Sequence, residues 1–255
     1  MYTPASEVSS AAPPQRESAR SWWPGSLPRP TWVVVAFFLA DVGLIGVYWL
    51  DASEHRFGSE VDLNREANLP TYFAATQLAV VGLVVGLLVA RRVDAQHRRS
   101  WLLLLLPLLM FGLAADELVR VHEDVGLMLD HLPGANRRDL PFDRTGIWMF
   151  VVGLPFTIGL FWWGYLIRDF FPRTHLFLAG LGFGLMLGGA IGVETFANFV
   201  EPGSRAETFQ VLGEEGLELI GVTTILWAAA ALVRFDGTGT GTERIGPRKS
   251  RKGAC

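Results

Sequence analysis

The sequence predicts an all-α polytopic membrane protein, a six-transmembrane-helix bundle. Three observations carry that expectation. Half of the 255 residues are hydrophobic and only 18% are charged, where a soluble domain carries about a quarter. The mean hydropathy is +0.31. The apolar residues also come in blocks of about 20, the length at which a helix crosses a bilayer core about 30 Å thick. A soluble globular enzyme, a disordered chain and an outer-membrane barrel are excluded on these grounds. The net charge of −3 is too small for a nucleic-acid surface. Cys255 is the one cysteine, so no intramolecular disulfide and no cysteine-based metal site can form. It does not stand in a prenylation box, which needs the cysteine four residues from the end.

Residues 1–30 are rich in Ser, Ala, Pro and Arg without apolar period, and read as a disordered cytoplasmic tail rather than a signal peptide. The six-helix domain follows over 31–235, with spans at about 31–50, 70–90, 101–124, 146–167, 175–199 and 213–235. Spans three and four contain Pro107 and Pro155, which membrane helices tolerate where neighbours satisfy the freed carbonyl. Ser204 and Glu207 form a capping-box pattern, so the sixth helix is expected to start before its apolar stretch. Residues 236–255 are Gly/Thr-rich and then basic, and read as a second disordered tail.

Six spans put both tails on one side. That side carries 15 of the Lys and Arg residues and the other side 7, so the positive-inside rule places both termini in the cytoplasm. The expected location is a bacterial or archaeal cytoplasmic membrane. Span five carries Gly180, Gly184, Gly188 and Gly192 at every fourth residue. Such a stripe lets another helix approach closely. It marks span five as an inner helix and offers a surface for a helical partner; the other expected partners are membrane lipids.

Ionisable residues at membrane depth are costly and mark functional sites. Span three ends in Asp116, Glu117, Arg120, His122, Glu123 and Asp124; span five ends in Glu194 and Asn198; span six begins with Glu214, Glu215 and Glu218. Spans three and five run outward and span six runs inward, so all three groups fall in the outer half. At 1.5 Å per residue, Asp116 lies about 22 Å above Trp101, Glu194 about 28 Å above His175, and Glu218 about 8 Å below the start of span six. Asp116, Arg120 and Glu123 are spaced i, i+4, i+7 and so share a face, whereas His122 lies about 120° away and reaches the site from its edge.

Seven carboxylates (Asp116, Glu117, Glu123, Glu194, Glu214, Glu215 and Glu218) cannot be neutralised by Arg120 and His122 alone. The excess is protonated, solvated or bound to a cation. Carboxylates with one imidazole suit harder ions such as Fe, Mn, Mg or Ca. The Glu-x-x-His pairs of di-iron bundles and the zinc-protease His-Glu-x-x-His are both missing. In the leading reading, the carboxylates hold a divalent metal, His122 acts as ligand or general base, and Arg120 binds an anionic head group or balances charge. An enzyme on a lipid or small apolar substrate would use such a site. Proton or cation transport through the same carboxylates is the alternative, and a non-catalytic assembly subunit is the third. No phosphate-binding glycine loop is present.

Weaker signals surround this set. Asp41 lies mid-span in helix one, and either joins a polar path or hydrogen-bonds a neighbouring helix. Tyr72 and Gln77 could line the site or serve core hydrogen bonds. His55, His97, His131 and His175 read as solvated, and Trp22, Trp23, Trp32, Trp49, Trp101 and Trp148 as an interfacial belt.

Four motifs in order, Asn-Leu-Pro-Thr-Tyr-Phe over residues 68–73, Asp116-Glu117-x4-His122-Glu123, Gly192-x-Glu194 and Glu214-Glu215-x-x-Glu218, resemble a widespread family of uncharacterised bacterial and archaeal multi-span membrane proteins. The resemblance covers roughly residues 31–235. It implies no activity; it implies that the matched acidic and histidine positions belong together.

Overall fold

The computed structural model describes residues 28–54, 62–63, 68–92, 98–129, 131 and 147–237. Most of the two expected tails, and the loop arginines at 56, 65, 137, 138 and 144, lie outside the described residues. The described secondary structure is helical throughout, with no strand. Helix α1 is Trp32–Glu54, α2 Leu69–Arg92, α3 Leu105–Val119, α4 Val121–Leu129, α5 Leu154–Ile167, α6 Arg173–Leu187, α7 Glu194–Phe196 and α8 Arg205–Gly237. Irregular turns extend several of them, so that six helical stretches are long and apolar enough to cross a membrane. Spans one and two are α1 and α2; spans three, four and five are Ser100–Val119, Met149–Phe170 and Arg173–Phe199; span six lies within α8. The chain is a multi-pass helical membrane protein. Helices suit this role because they satisfy their backbone groups internally, where a bilayer offers no water to do so.

Local chemistry sets the helix boundaries. Thr31 Oγ1 accepts the Val34 N–H at 3.2 Å, an N-cap for α1. Asn68 Oδ1 accepts both the Thr71 N–H at 3.2 Å and the Thr71 hydroxyl at 3.1 Å. The opening Asn-Leu-Pro-Thr of span two is thus a cap followed by a proline in the first turn, where no helical N–H is lost. Pro107 and Pro155 use the same tolerance. Pro107 is in the first turn of α3, after a 3-10 segment over Arg98–Leu104; Pro155 follows the π-helical turn Met149–Gly153. At the start of α8 the Ser204 hydroxyl accepts the Glu207 N–H at 3.3 Å, and Glu207 Oε2 accepts the Gly203 N–H at 2.6 Å. This is the expected box, with its return bond one residue early.

Helix α8 is the axis of the bundle. Of its apolar window 61% is buried, against 17% for spans one, three and four. Its tightest neighbour is α6. A Cβ on Gly182 would come within 2.7 Å of the Gly221 carbonyl, and one on Gly221 within 2.6 Å of the Met186 amide. Gly189, two turns above Gly182, lies so close that a Cβ would fall 2.5 Å from the Glu214 carbonyl. The stripe expected to make this contact does not make it: Cβ atoms on Gly180, Gly184, Gly188 or Gly192 would meet nothing within 4 Å. Span five is packed in the bundle, but through Gly182 and Gly189, because Leu178, Phe183, Met186 and Leu187 are buried on that side.

One polar knot lies in the packed interior. Asp41 of α1 is fully buried; Gln77 Nε2 donates to its Oδ1 at 2.5 Å and Thr223 Oγ1 to its Oδ2 at 2.7 Å. Gln77 Nε2 also donates to Thr223 Oγ1 at 3.0 Å. Of the two alternatives for Asp41, hydrogen bonding to neighbouring helices is the one seen, and it ties α1, α2 and α8 together.

Candidate functional site

The polar ends of spans three, five and six meet around one cavity of about 470 Å³, at the end of the bundle opposite the start of α1 and the end of α8. Asp116, Glu117, His122, Glu194, Glu214, Glu215 and Glu218 all line it, with Trp148, just before span four, and Phe156 within it among the apolar walls. No Lys or Arg is among its described lining residues. Around Glu218 stand Glu215, Glu117, Glu214 and Glu194.

Two helix irregularities build this arrangement. The first is a break in span three. The helix expected to continue unbroken to residue 124 stops at Val119, and Arg120 takes the left-handed conformation with φ 60 and ψ 42. It is the one described non-glycine residue with positive φ, a conformation uncommon without a structural reason. Asp116 holds the turn: its Oδ1 accepts the His122 N–H at 3.0 Å, and its Oδ2 lies 2.7 Å from His122 Nδ1. The expectation that Asp116 and Arg120 share a face while His122 sits at the edge is therefore corrected. His122 is the direct partner of Asp116, and Arg120 is exposed and outside the cavity lining. Glu123 belongs to α4, but its side chain lies outside what is described.

The second irregularity is the π-helical turn Gly188–Val193 in span five, immediately before Glu194. Such turns accommodate an extra residue and occur at functional sites. Gly189 within it lets the backbone lie against Glu214 and Glu218 of α8, which brings Glu194 to the same cavity. Thr195 Oγ1 donates to the Ile191 carbonyl at 2.5 Å and Asn198 Nδ2 to the Thr195 carbonyl at 3.0 Å, so the end of span five is tied to itself. Glu214 accepts a hydrogen bond from Gln210. The His122 ring packs against Trp148 at a centroid distance of 5.6 Å, and α4 folds over the same tryptophan at Gly126.

Other expectations fall away from the site. Tyr72 is exposed and Gln77 belongs to the Asp41 knot. Glu201 is exposed. His131 is exposed as expected, whereas His175 is buried in the wall of a second, apolar cavity. His55 and His97 lie outside the described residues. Among the described residues, no three His, Cys, Asp or Glu side chains converge as a metal-binding group. The donor types suit a hard divalent ion, but in this conformation they line the cavity without closing on a point.

Fold and site together define a class: helical membrane proteins with a carboxylate-lined cavity at one end of the bundle. The family is also defined. Residues 31–234 match the family model "Domain of unknown function (DUF8692)", and the chain belongs to that family. No curated protein and no solved structure matches the chain.

Proposed function

We propose that the acidic cavity is a cation-binding site, that its occupant is a divalent metal ion (Fe, Mn, Mg or Ca), and that the protein is an enzyme acting on a lipid or small apolar substrate. The observation that carries this reading is the lining itself, six carboxylates and one imidazole around about 470 Å³. So many carboxylates at membrane depth call for a compensating cation. Glu117, Glu194, Glu214, Glu215 and Glu218 are the candidate metal ligands, and flexible glutamate side chains can close on an ion by rotamer change. His122 is the candidate general base or additional ligand. With Nδ1 held by Asp116, the imidazole has one tautomer and one orientation, as in carboxylate–histidine–metal arrangements. Arg120 stands outside the lining and is assigned no step. The metal, when bound, would polarise a substrate oxygen or a water molecule. The apolar walls at Trp148 and Phe156 suit an apolar substrate. The arginine asymmetry of the sequence supports a cytoplasmic membrane with both termini inside.

The test is thermal unfolding in detergent with each ion added in turn. An ion at 100 times its Kd stabilises a site by about 2.7 kcal/mol, so one of the four should raise the Tm of the native chain and leave the Glu194→Ala/Glu218→Ala variant unmoved. Equal responses of the two proteins to every ion would contradict the proposal.

A second reading, proton or cation passage, uses the same carboxylates of the acidic cavity, since carboxylates at membrane depth relay protons or pass cations. Flux in liposomes that is lost in Glu194→Ala/Glu218→Ala would favour it over the enzyme.

A further inference from the structure

A second cavity of about 350 Å³ occupies the half of the bundle that holds the start of α1 and the end of α8. Its walls come from α2, α3, span four, α6 and α8, with Val89, Met110, Leu160, Phe183 and Ala228 among them. They are apolar except near the rim, where Arg168 and the buried His175 contribute. Two small residues keep it wide. A Cβ on Gly164 of span four, or on Gly180 across from it on α6, would meet nothing within 4 Å. The volume is at the lower end of ligand-binding pockets.

The rim has a definite charge. Arg168 ends span four, 40% exposed, with its guanidinium carbon 3.6 Å from the Tyr165 ring centroid. Its Nη1 is 3.5 Å from the Tyr165 carbonyl, and its Nε is 3.7 Å from Asp169. These contacts are local and long, and a guanidinium has five donors. Arg29, Arg91, Arg173 and Arg234 close other spans at the same end, where Asp169 is the carboxylate among the described side chains. An apolar chamber under a cationic rim is complementary to an amphiphile with an anionic head.

We propose that this chamber holds one acyl chain of an anionic phospholipid, with the phosphate at Arg168 and the second chain in the bilayer. The apolar walls suit an acyl chain, and a half-exposed arginine at a span end lies at head-group level. The proposal does not depend on the acidic cavity at the opposite end. The test is native mass spectrometry of the full chain in a neutral detergent, titrated with phosphatidylglycerol, phosphatidylcholine of the same chains, or oleate. Phosphatidylglycerol should be retained at about one per chain and about fivefold better than phosphatidylcholine, the effect of one interfacial cation. Arg168→Gln should remove that preference and Arg234→Gln should keep it. Gly164→Leu/Gly180→Leu adds bulk at two positions where a Cβ meets nothing within 4 Å, and should lower retention of both phospholipids. Equal retention of the two phospholipids, stronger retention of oleate, or retention indifferent to the added bulk would each overturn the assignment.

Discussion

Asp116 is the residue on which the site's geometry turns. One carboxylate oxygen caps the backbone of α4 and the other fixes the His122 ring. Hydrogen bonds to a charged group contribute about 1.5–3 kcal/mol each. Asp116→Ala should therefore lower thermal stability in detergent clearly more than His122→Ala, which keeps the backbone bond. A smaller loss in the aspartate variant would show that the turn at Arg120 stands without it. The same logic applies to Asp41. Removing it strands the Gln77 amide and the Thr223 hydroxyl, and inter-helix hydrogen bonds in membranes contribute about 1–2 kcal/mol. Asp41→Ala should cost more Tm than Asp41→Asn, which keeps an acceptor; equal losses would argue against the bonds as drawn. That Asp116, Glu194 and Glu218 belong near one another was legible from span direction and depth alone. The pairing of Asp116 with His122 was not. It depends on a left-handed turn at an arginine, and neither glycine nor asparagine marks that position.

At the level of elements, the blocks of apolar residues made the six spans readable, because bilayer thickness fixes helix length. Which face of span five packs was harder to read. The sequence offers two glycine sets on one helix, Gly180–Gly184–Gly188–Gly192 and Gly182–Gly189. Spacing favours the first; the buried Leu178, Phe183, Met186 and Leu187 select the second. The consequence is sharp. Gly182→Ala and Gly221→Ala place a methyl against backbone atoms of the facing helix and should each cost about 1–3 kcal/mol. Gly184→Ala and Gly188→Ala meet open space, and should be neutral or stabilising by up to about 1 kcal/mol. Chemical or steric unfolding of the four variants side by side would check this, and a reversed order would mean that α6 is rotated.

For the molecule as a whole, the bundle separates two environments along its axis. Carboxylates gather around one cavity at the end away from the start of α1, and an apolar chamber with Arg168 at its rim lies at the other. The first was readable because charges inside spans stand out against apolar sequence. The second was not, since a cavity is a shortfall of packing among residues that individually look like any other core. His175 shows the difficulty: two residues after Arg173, at a span end, it reads as solvated, yet it is buried in α6. Elemental analysis of the detergent-purified chain tests the acidic cavity most directly as a metal site. The native protein and Glu201→Ala, altered at an exposed carboxylate, should each carry a stoichiometric divalent metal, and Glu194→Ala/Glu218→Ala should lose it. If the native protein carries none even after Fe, Mn, Mg and Ca are supplied, or if the double variant keeps its metal, the cavity is not the metal site proposed here.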